Sequence, residues 1–201
     1  MQQRIGRGIL LQLEGEWSMK LLGVSGTLIG SKTLAVVKRV LYEANALDPT
    51  LETELLDLKQ LDLPFCDGRN PADYTGDAAK AIKLVTEADM LVIGTPVFQG
   101  SITGALKNVF DLLPVDAMRQ KPVGLVATGG SQQHYLVIET QLRPILGYFR
   151  AFVAPGHVYA HNEQFLSTNE LSDSEIIRRV KVLAQELILM KPLTKLGEVR
   201  V

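Results

Sequence analysis

Short apolar runs alternate with stretches of helical periodicity along this chain. Five runs predict β-strands at residues 21–24, 53–58, 90–94, 123–127 and 152–159. Between and after them, apolar residues recur every three or four positions, which predicts helices from residue 32 and over 77–88, 103–113, 136–149 and 172–190. Strands that alternate with helices favour right-handed crossovers, so we expect an α/β fold with a doubly wound parallel sheet.

Particular residues predict where two of these helices begin and where a third is kinked. Ser31 stands at the N-cap position of the first helix, and Ser172 with Glu175 matches the capping-box pattern at the start of the last. Pro144 lies inside the fourth predicted helix, where we expect a kink. Residues 61–76 contain two prolines and two glycines and predict a loop.

Residues 24–33 join the first strand to the first helix through glycines and hydroxyl side chains. Backbone N–H groups and the dipole at a helix N-terminus attract an anion, and glycines let the backbone approach it. Only three residues separate Gly26 from Gly30, and Ser31 precedes Lys32, so the P-loop pattern is not matched. The dinucleotide pattern G-x-G-x-x-G is also absent, which argues against a permanently bound NAD. The segment predicts a cradle for the phosphate of a mononucleotide, the alternative being a purely structural turn.

Two further loops are expected beside this segment. In a doubly wound sheet, ligands bind beyond the carboxyl ends of the strands, near the point where the strand order reverses. The loops expected there are residues 25–31, 95–101 and 128–134, called below the first, second and third loops. Each is rich in glycine, serine, threonine or glutamine. This composition favours holding a cofactor over acid–base chemistry by carboxylates.

Composition narrows the class of protein. With 201 residues and 46% hydrophobic content, the chain can bury one substantial core, and we expect a single domain. A net charge of −1 gives no field for binding nucleic acid or anionic lipid. No apolar run approaches the roughly 20 residues of a membrane span. The single cysteine, Cys66, cannot form an internal disulfide, so we expect a cytoplasmic protein.

The second loop begins a longer pattern, P-x-[YF]-x-x-S-x-x-G-x-L-K-x-x-x-D, which runs from Pro96 to Asp111. Together with Ser25-Gly26-Thr27 and Thr128-Gly129-Gly130, it resembles the NADPH-dependent FMN reductase family of flavodoxin-like proteins over residues 19–161. Residues 127–144 are similar in particular to the reductase partners of two-component alkanesulfonate monooxygenases. The resemblance implies a flavodoxin-like, five-stranded parallel sheet of order 2-1-3-4-5.

The resemblance also assigns residues to FMN. The residues expected around its phosphate are Ser25, Thr27, Ser31, Lys32 and Thr33. Those expected along the isoalloxazine, with backbone N–H groups reaching N5 and the pyrimidine edge, are Pro96, Val97, Phe98, Gln99 and Gly100. Those expected to close the other side are Thr128, Gly129, Gly130 and Ser131. No side chain is assigned as a catalytic acid or base, and no metal site is expected.

Three positions depart from the family pattern. Leu28 stands where many relatives have an arginine, so Lys32 and the hydroxyls must neutralise the phosphate. Phe98 replaces a common tyrosine, which keeps a stacking surface and removes the hydroxyl. Thr140 lies where the monooxygenase-partner branch has an extra tyrosine that accompanies transient use of FMN as a substrate. The last departure raises the alternative of bound FMN that serves a different acceptor.

The function implied is an NADPH-dependent FMN reductase, an oxidoreductase that transfers hydride from NADPH, or from NADH, to FMN. The reduced flavin would supply a flavin-dependent monooxygenase. The alternatives are a reductase with bound FMN acting on quinone, azo or metal-oxyanion acceptors, a non-catalytic flavodoxin-like electron carrier, and a phosphate binder without flavin. The near-neutral charge counts against an acidic electron carrier. Family members suggest a homodimer or homotetramer, with the helix over residues 103–113 as the contact.

The resemblance divides the chain into three parts: an N-terminal extension at residues 1–18, a flavodoxin-like FMN-binding domain at 19–190 and a C-terminal tail at 191–201. Met19 directly precedes the first strand, so we expect that the biological start is Met19 and that the extension is not native. The simplest reading of Lys107 with Asp111 is a helical ion pair, that of His134 a polar cap, and that of Cys66 a loop residue without redox function.

Overall fold

A computed structural model of the chain describes residues 18–198 and contains one five-stranded parallel sheet. Its strand order is β2-β1-β3-β4-β5, so the predicted order and fold class are confirmed. The strands are β1 Lys20–Ser25, β2 Glu52–Asp57, β3 Met90–Pro96, β4 Pro122–Gly129 and β5 Phe152–His161. All four neighbouring pairs are parallel.

Helices cover both faces of the sheet. They are α1 Lys32–Leu47, α2 Gly76–Glu87, α3 Gly104–Leu112, α4 Arg143–Tyr148 and α5 Ser174–Met190. Side chains of α1 and α5 pack with one face of the strands, and those of α2, α3 and α4 pack with the other. Successive residues of β3, such as Leu91 and Val92, enter opposite cores and are both fully buried. Burial on both faces explains why the strands appear in the sequence as short continuous apolar runs.

The fourth predicted helix is not a continuous helix over residues 136–149. A π-helical turn spans Ile138–Leu142, and α4 begins after it, with Pro144 in its first turn. The N–H of Arg143 donates to the carbonyl of Ile138, five residues earlier. A proline ring clashes with the carbonyl four residues before it, and proline is tolerated in the first turn of a helix. The interruption expected from Pro144 therefore takes the form of a π turn that precedes it.

The predicted capping box of α5 is wrong. Asp173 is the N-cap, and its Oδ1 accepts the backbone N–H of Ile176 at 2.9 Å. The hydroxyl of Ser172 instead donates to the carbonyl of Gln164 at 3.2 Å, and Glu175 forms ion pairs with two arginines of the same helix. Both Ser172 and Asp173 suit an N-cap, and the tertiary partner of Ser172 decides between them.

The two chain ends bear on the predicted division into three parts. The expected extension lies, except for Ser18, outside the described residues, and it stays a prediction. Beyond α5, residues Lys191–Glu198 form a 3₁₀ helix. The ammonium of Lys191 lies 2.6 Å from the carboxylate of Asp48, at the end of α1. None of the helices described in residues 18–198 is long and apolar enough to cross a membrane.

Candidate functional site

The three loops meet at the carboxyl edge of the sheet, as predicted. The backbone N–H of Gly26, in the first loop, donates to the carbonyl of Gly94 at the end of β3 (2.8 Å). The N–H of Val97, in the second loop, donates to the carbonyl of Thr128 at the start of the third loop (2.7 Å). Backbone hydrogen bonds therefore fix the first loop to β3 and the second loop to the third loop.

Buried threonine side chains add to these links. The hydroxyl of Thr103 donates to the carbonyl of Gly26 (2.7 Å) and accepts the N–H of Leu106, so it caps α3 and holds the first loop at the same time. The hydroxyls of Thr33 and Thr128 lie 2.6 Å apart and are both buried. The resemblance assigns Thr33 to the FMN phosphate and Thr128 to one side of the isoalloxazine, and the structure brings the two residues together as hydrogen-bond partners.

The first loop presents several polar groups that have no protein partner. Ser25 is fully buried, and its hydroxyl is the buried side-chain polar atom left without a hydrogen bond in residues 18–198. Ser31 occupies the N-cap position of α1, as predicted, but its side chain makes no capping hydrogen bond. The backbone N–H groups of residues 27–32 also donate no hydrogen bond within this part of the chain. This arrangement can bind the oxygens of an anion.

Thr27 and Lys32, two other predicted phosphate contacts, have protein partners. The hydroxyl of Thr27 donates to the carbonyl of Ile29 (2.7 Å), which shapes the loop. The ammonium of Lys32 donates to the side-chain oxygen of Asn162 (2.8 Å) and lies 5.4 Å from the centre of the Phe165 ring. Lys32 therefore extends from the start of α1 towards the segment that follows β5.

The second loop is a tight hairpin. Phe98 and Ser101 exchange two backbone hydrogen bonds of 3.0 Å. Gln99 and Gly100 between them have φ values of 50° and 76°, as a type I′ turn requires at both central positions. Pro96 has no N–H, and the N–H groups of Val97 and Phe98 are already bonded. Among the five predicted isoalloxazine residues, only Gln99 and Gly100 keep free backbone donors within the described chain.

The third loop is braced by a tyrosine that sequence reasoning missed. The hydroxyl of Tyr159, on β5, donates to the carbonyl of Ser131 at 2.5 Å. A Cβ added to Gly129 would lie 2.1 Å from that hydroxyl oxygen, so only glycine fits there. Burial raises the pKa of Tyr159, which keeps it a hydrogen-bond donor. No motif signalled this contact, because the two residues lie 28 positions apart.

The remaining candidates from the sequence lie around these loops without adding acid–base chemistry. Lys107 and Asp111 form the expected ion pair along α3 (2.6 Å). Cys66 donates its thiol to the carbonyl of Asp111 (3.2 Å). His134 ends a short 3₁₀ turn in the third loop. The described residues contain no cluster of three or more potential metal ligands.

A separate apolar groove of 390 Å³ lies between α3 and α4, outside the three loops. Its walls include the aromatic rings of Phe110, Tyr148 and Phe149, and the Lys107–Asp111 pair lies at its edge. Tyr148 is largely exposed, whereas Phe110 and Phe149 are buried. Apart from the Lys107–Asp111 pair and the hydroxyl of Tyr148, its lining side chains are apolar.

Comparison with known proteins gives a consistent set of relatives. The family model of the NADPH-dependent FMN reductases matches residues 19–165. The chain is 56% identical over 181 residues to an NAD(P)H-dependent FAD/FMN reductase of Geobacillus thermodenitrificans, which covers 90% of this chain and 98% of that protein. It is 30% identical over 185 residues to the NADH-dependent FMN reductase SfnF of Pseudomonas fluorescens, covering 89% and 98%. A solved oxidoreductase from Corynebacterium diphtheriae superposes with a TM-score of 0.70 at 28% identity, covering 87% of this chain and 97% of the other.

Proposed function

Because the chain belongs to the NADPH-dependent FMN reductase family, it is an NAD(P)H-dependent FMN reductase, and we propose that its three carboxyl-edge loops hold the FMN. The single observation that carries this assignment is the buried, unpartnered hydroxyl of Ser25 at the base of the first loop. Leaving a buried hydroxyl unsatisfied costs about 1–3 kcal/mol. A phosphate oxygen that reaches this hydroxyl would accept its hydrogen bond and remove that cost.

The phosphate end of the proposed site uses the start of α1. The free N–H groups of residues 27–32 and the hydroxyl of Ser31 surround the same space as Ser25. The helix dipole adds roughly half a positive charge at this end. Lys32 supplies the only full positive charge in residues 24–33. These groups take the place of the arginine that many relatives have in this loop.

The flavin end of the proposed site uses the second and third loops. The free N–H groups of Gln99 and Gly100 are the donors available for the polar edge of the isoalloxazine, and Phe98, which is 56% exposed, offers a ring face beside it. When bound, FMN supplies the hydride-accepting chemistry. The chain's own residues bind and orient the ring, and the proposal requires no side chain that exchanges a proton with it.

We propose that the reduced FMN leaves the site and serves a flavin-dependent monooxygenase. The relatives whose names give FMN as what is reduced support this. A π turn that begins four residues after the third loop supports a functional role for this segment, since π turns inside helices frequently accompany functional sites. A bound FMN that passes electrons to a quinone, azo compound or metal oxyanion is the second candidate, and the threonine at position 140 favours it. The two candidates share one fold, and they differ in whether the flavin leaves the site or stays bound.

We further propose that copies of the chain associate through α3, as a homodimer or homotetramer. The apolar groove beside α3 and the exposed ring of Tyr148 support this contact, because large apolar side chains at a surface often mark interfaces. The other partners proposed are a small-molecule electron acceptor and the flavin-dependent monooxygenase. The preference for NADPH over NADH and the cytoplasmic location expected from the single cysteine stay predictions.

The proposed function is tested by NAD(P)H oxidation with FMN titrated from zero, beside a visible spectrum of the purified protein. A colourless protein whose rate saturates with added FMN supports release of reduced flavin. A yellow protein that reduces a quinone without added FMN supports the second candidate. No oxidation of either nucleotide under both conditions contradicts both.

A further inference from the structure

The segment at the end of β5, residues 161–164, lies against the third loop and contacts Lys32 at the start of α1. His161 pairs with Gly129 in the register between β5 and β4. The side-chain amide of Asn162 lies 3.9 Å from the position that a Cβ on Gly130 would take. We call residues 161–164 the fourth loop, because it ends a strand at the same edge of the sheet.

The fourth loop is held in one conformation by its own hydrogen bonds. The backbone N–H of His161 donates to the side-chain oxygen of Gln164 at 3.0 Å. The ring of His161 is buried, and its Nε2 lies 3.3 Å from the side-chain amide of Gln132 in the third loop. Asn162 is therefore presented from a fixed backbone.

Asn162 in turn fixes the ammonium of Lys32. A lysine ammonium has three N–H donors, and Asn162 accepts one of them at 2.8 Å. The ring of Phe165, 5.4 Å away, provides a second favourable contact for the charge. Two donors remain for an anion. Without these contacts, the long lysine side chain would move among many rotamers.

We propose that Asn162 is a positioning residue for the flavin phosphate, because it holds Lys32 ready at the start of α1. This inference rests on the proposed function, since it requires FMN in the first loop. A neutral amide suits the role because it orients the ammonium and leaves its positive charge available. The fourth loop thereby links the phosphate end of the site to the third loop.

Two substitutions of Asn162 distinguish positioning of Lys32 for the phosphate from a purely structural contact. Asn162→Ala removes the acceptor and frees Lys32. Asn162→Asp keeps the shape and the acceptor, and its carboxylate competes with phosphate for the ammonium. A purely structural contact would tolerate Asn162→Asp, because the link to Lys32 is kept. Ser167→Asp adds the same charge to the neighbouring exposed stretch, where Ser167 makes no side-chain hydrogen bond within the described residues, and serves as the control.

The test compares the dissociation constants of FMN and riboflavin, which lacks the phosphate, by fluorescence titration of each purified variant. We expect Asn162→Asp to weaken FMN binding about tenfold and Asn162→Ala about threefold, with the affinity for riboflavin unchanged within about twofold. Ser167→Asp should change the affinity for neither ligand by more than about twofold. Thermal unfolding without ligand checks that each variant is folded.

An unchanged ratio of FMN to riboflavin affinity in both Asn162 variants overturns the inference. Equal losses for FMN and riboflavin also overturn it, because the effect would then not act through the phosphate. Wild-type protein that binds no FMN contradicts the proposed function itself. Failure of the inference alone leaves the wild-type protein binding and reducing FMN normally.

Discussion

The hydroxyls of Thr33 and Thr128 lie 2.6 Å apart between the start of α1 and the end of β4. Both residues are buried, so neither hydroxyl can exchange this partner for water. The contact ties the start of α1 to the third loop. The hydroxyls of Thr33 and Thr128 therefore satisfy each other's hydrogen bonding. The buried hydroxyl of Ser25, in contrast, has no hydrogen-bond partner in residues 18–198.

The losses of unfolding free energy caused by removing the two hydroxyls of this pair should not be additive. Thr33→Val or Thr128→Val leaves the other hydroxyl buried and unpaired, which should lower the free energy of unfolding by about 1–3 kcal/mol. The double variant should lose clearly less than the sum of the two single losses. Urea unfolding of all four proteins measures this coupling. Strict additivity would show that the two hydroxyls do not depend on each other.

Ser25→Ala should have different effects on the stability of the protein and on its affinity for FMN. The hydroxyl has no hydrogen-bond partner within residues 18–198, so its removal should leave the free energy of unfolding unchanged or raise it by up to about 1 kcal/mol. The same change should lower the affinity for FMN about tenfold, because a buried hydrogen bond to the phosphate is lost. Denaturant unfolding and fluorescence titration measure the two quantities. A destabilised variant with unchanged FMN affinity would contradict the assignment of Ser25.

Two glycines at the second loop and α3 offer a matched comparison. A Cβ at Gly100 or at Gly104 would meet no atom within 4 Å, but only Gly100 has a positive φ, of 76°. Gly100→Ala should therefore lower stability by about 1 kcal/mol and reduce kcat by shifting the hairpin. Gly104→Ala should be neutral or stabilising by up to about 1 kcal/mol. Equal effects of the two substitutions would exclude backbone strain as the reason for Gly100.

Acid should destabilise the protein through His157, which lies 3.3 Å from Glu139 of the π turn. Burial lowers the pKa of His157 below its ordinary 6.5, against the opposing effect of Glu139. The unfolded chain therefore binds this proton more tightly than the folded chain. The stability that this histidine contributes is complete above about pH 6.5 and is lost as the pH falls towards its lower, folded-state pKa.

The pH dependence of unfolding free energy between pH 7.5 and pH 5, at about half-unit steps, measures this effect. His157→Gln should flatten the curve over that interval, because the titrating group is removed. His134→Gln, in the exposed third loop, leaves His157 in place and should keep the slope. A slope that survives in His157→Gln would assign the pH dependence to another group.

Much of the fold could be predicted from the sequence, because burial on both faces makes each strand a short apolar run. The approximate positions of the five strands and the sheet order were predicted correctly. The π turn was missed, since one extra residue in a turn scarcely changes the spacing of Ile138, Leu142 and Leu146, which are all buried. The cap of α5 was misassigned, because Ser172 bonds to Gln164, a contact that no local pattern reveals.

Part of the candidate site could also be predicted from the sequence. Loops that follow strands of a parallel sheet meet at one edge, so the three loops could be assigned from the order of elements alone. Asn162 and Tyr159 were missed, because their partners lie 130 and 28 residues away and neither belongs to a recognisable motif. Which polar groups already have protein partners, as Thr33 does and Ser25 does not, depends on packing.

The central claim is that FMN binds in the carboxyl-edge loops, and a crystal structure of the protein with FMN tests it most directly. The account predicts a phosphate oxygen about 3 Å from the hydroxyl of Ser25, with the N–H groups of Gln99 and Gly100 facing the isoalloxazine. FMN seated in the apolar groove between α3 and α4, or a phosphate remote from Ser25, would contradict it.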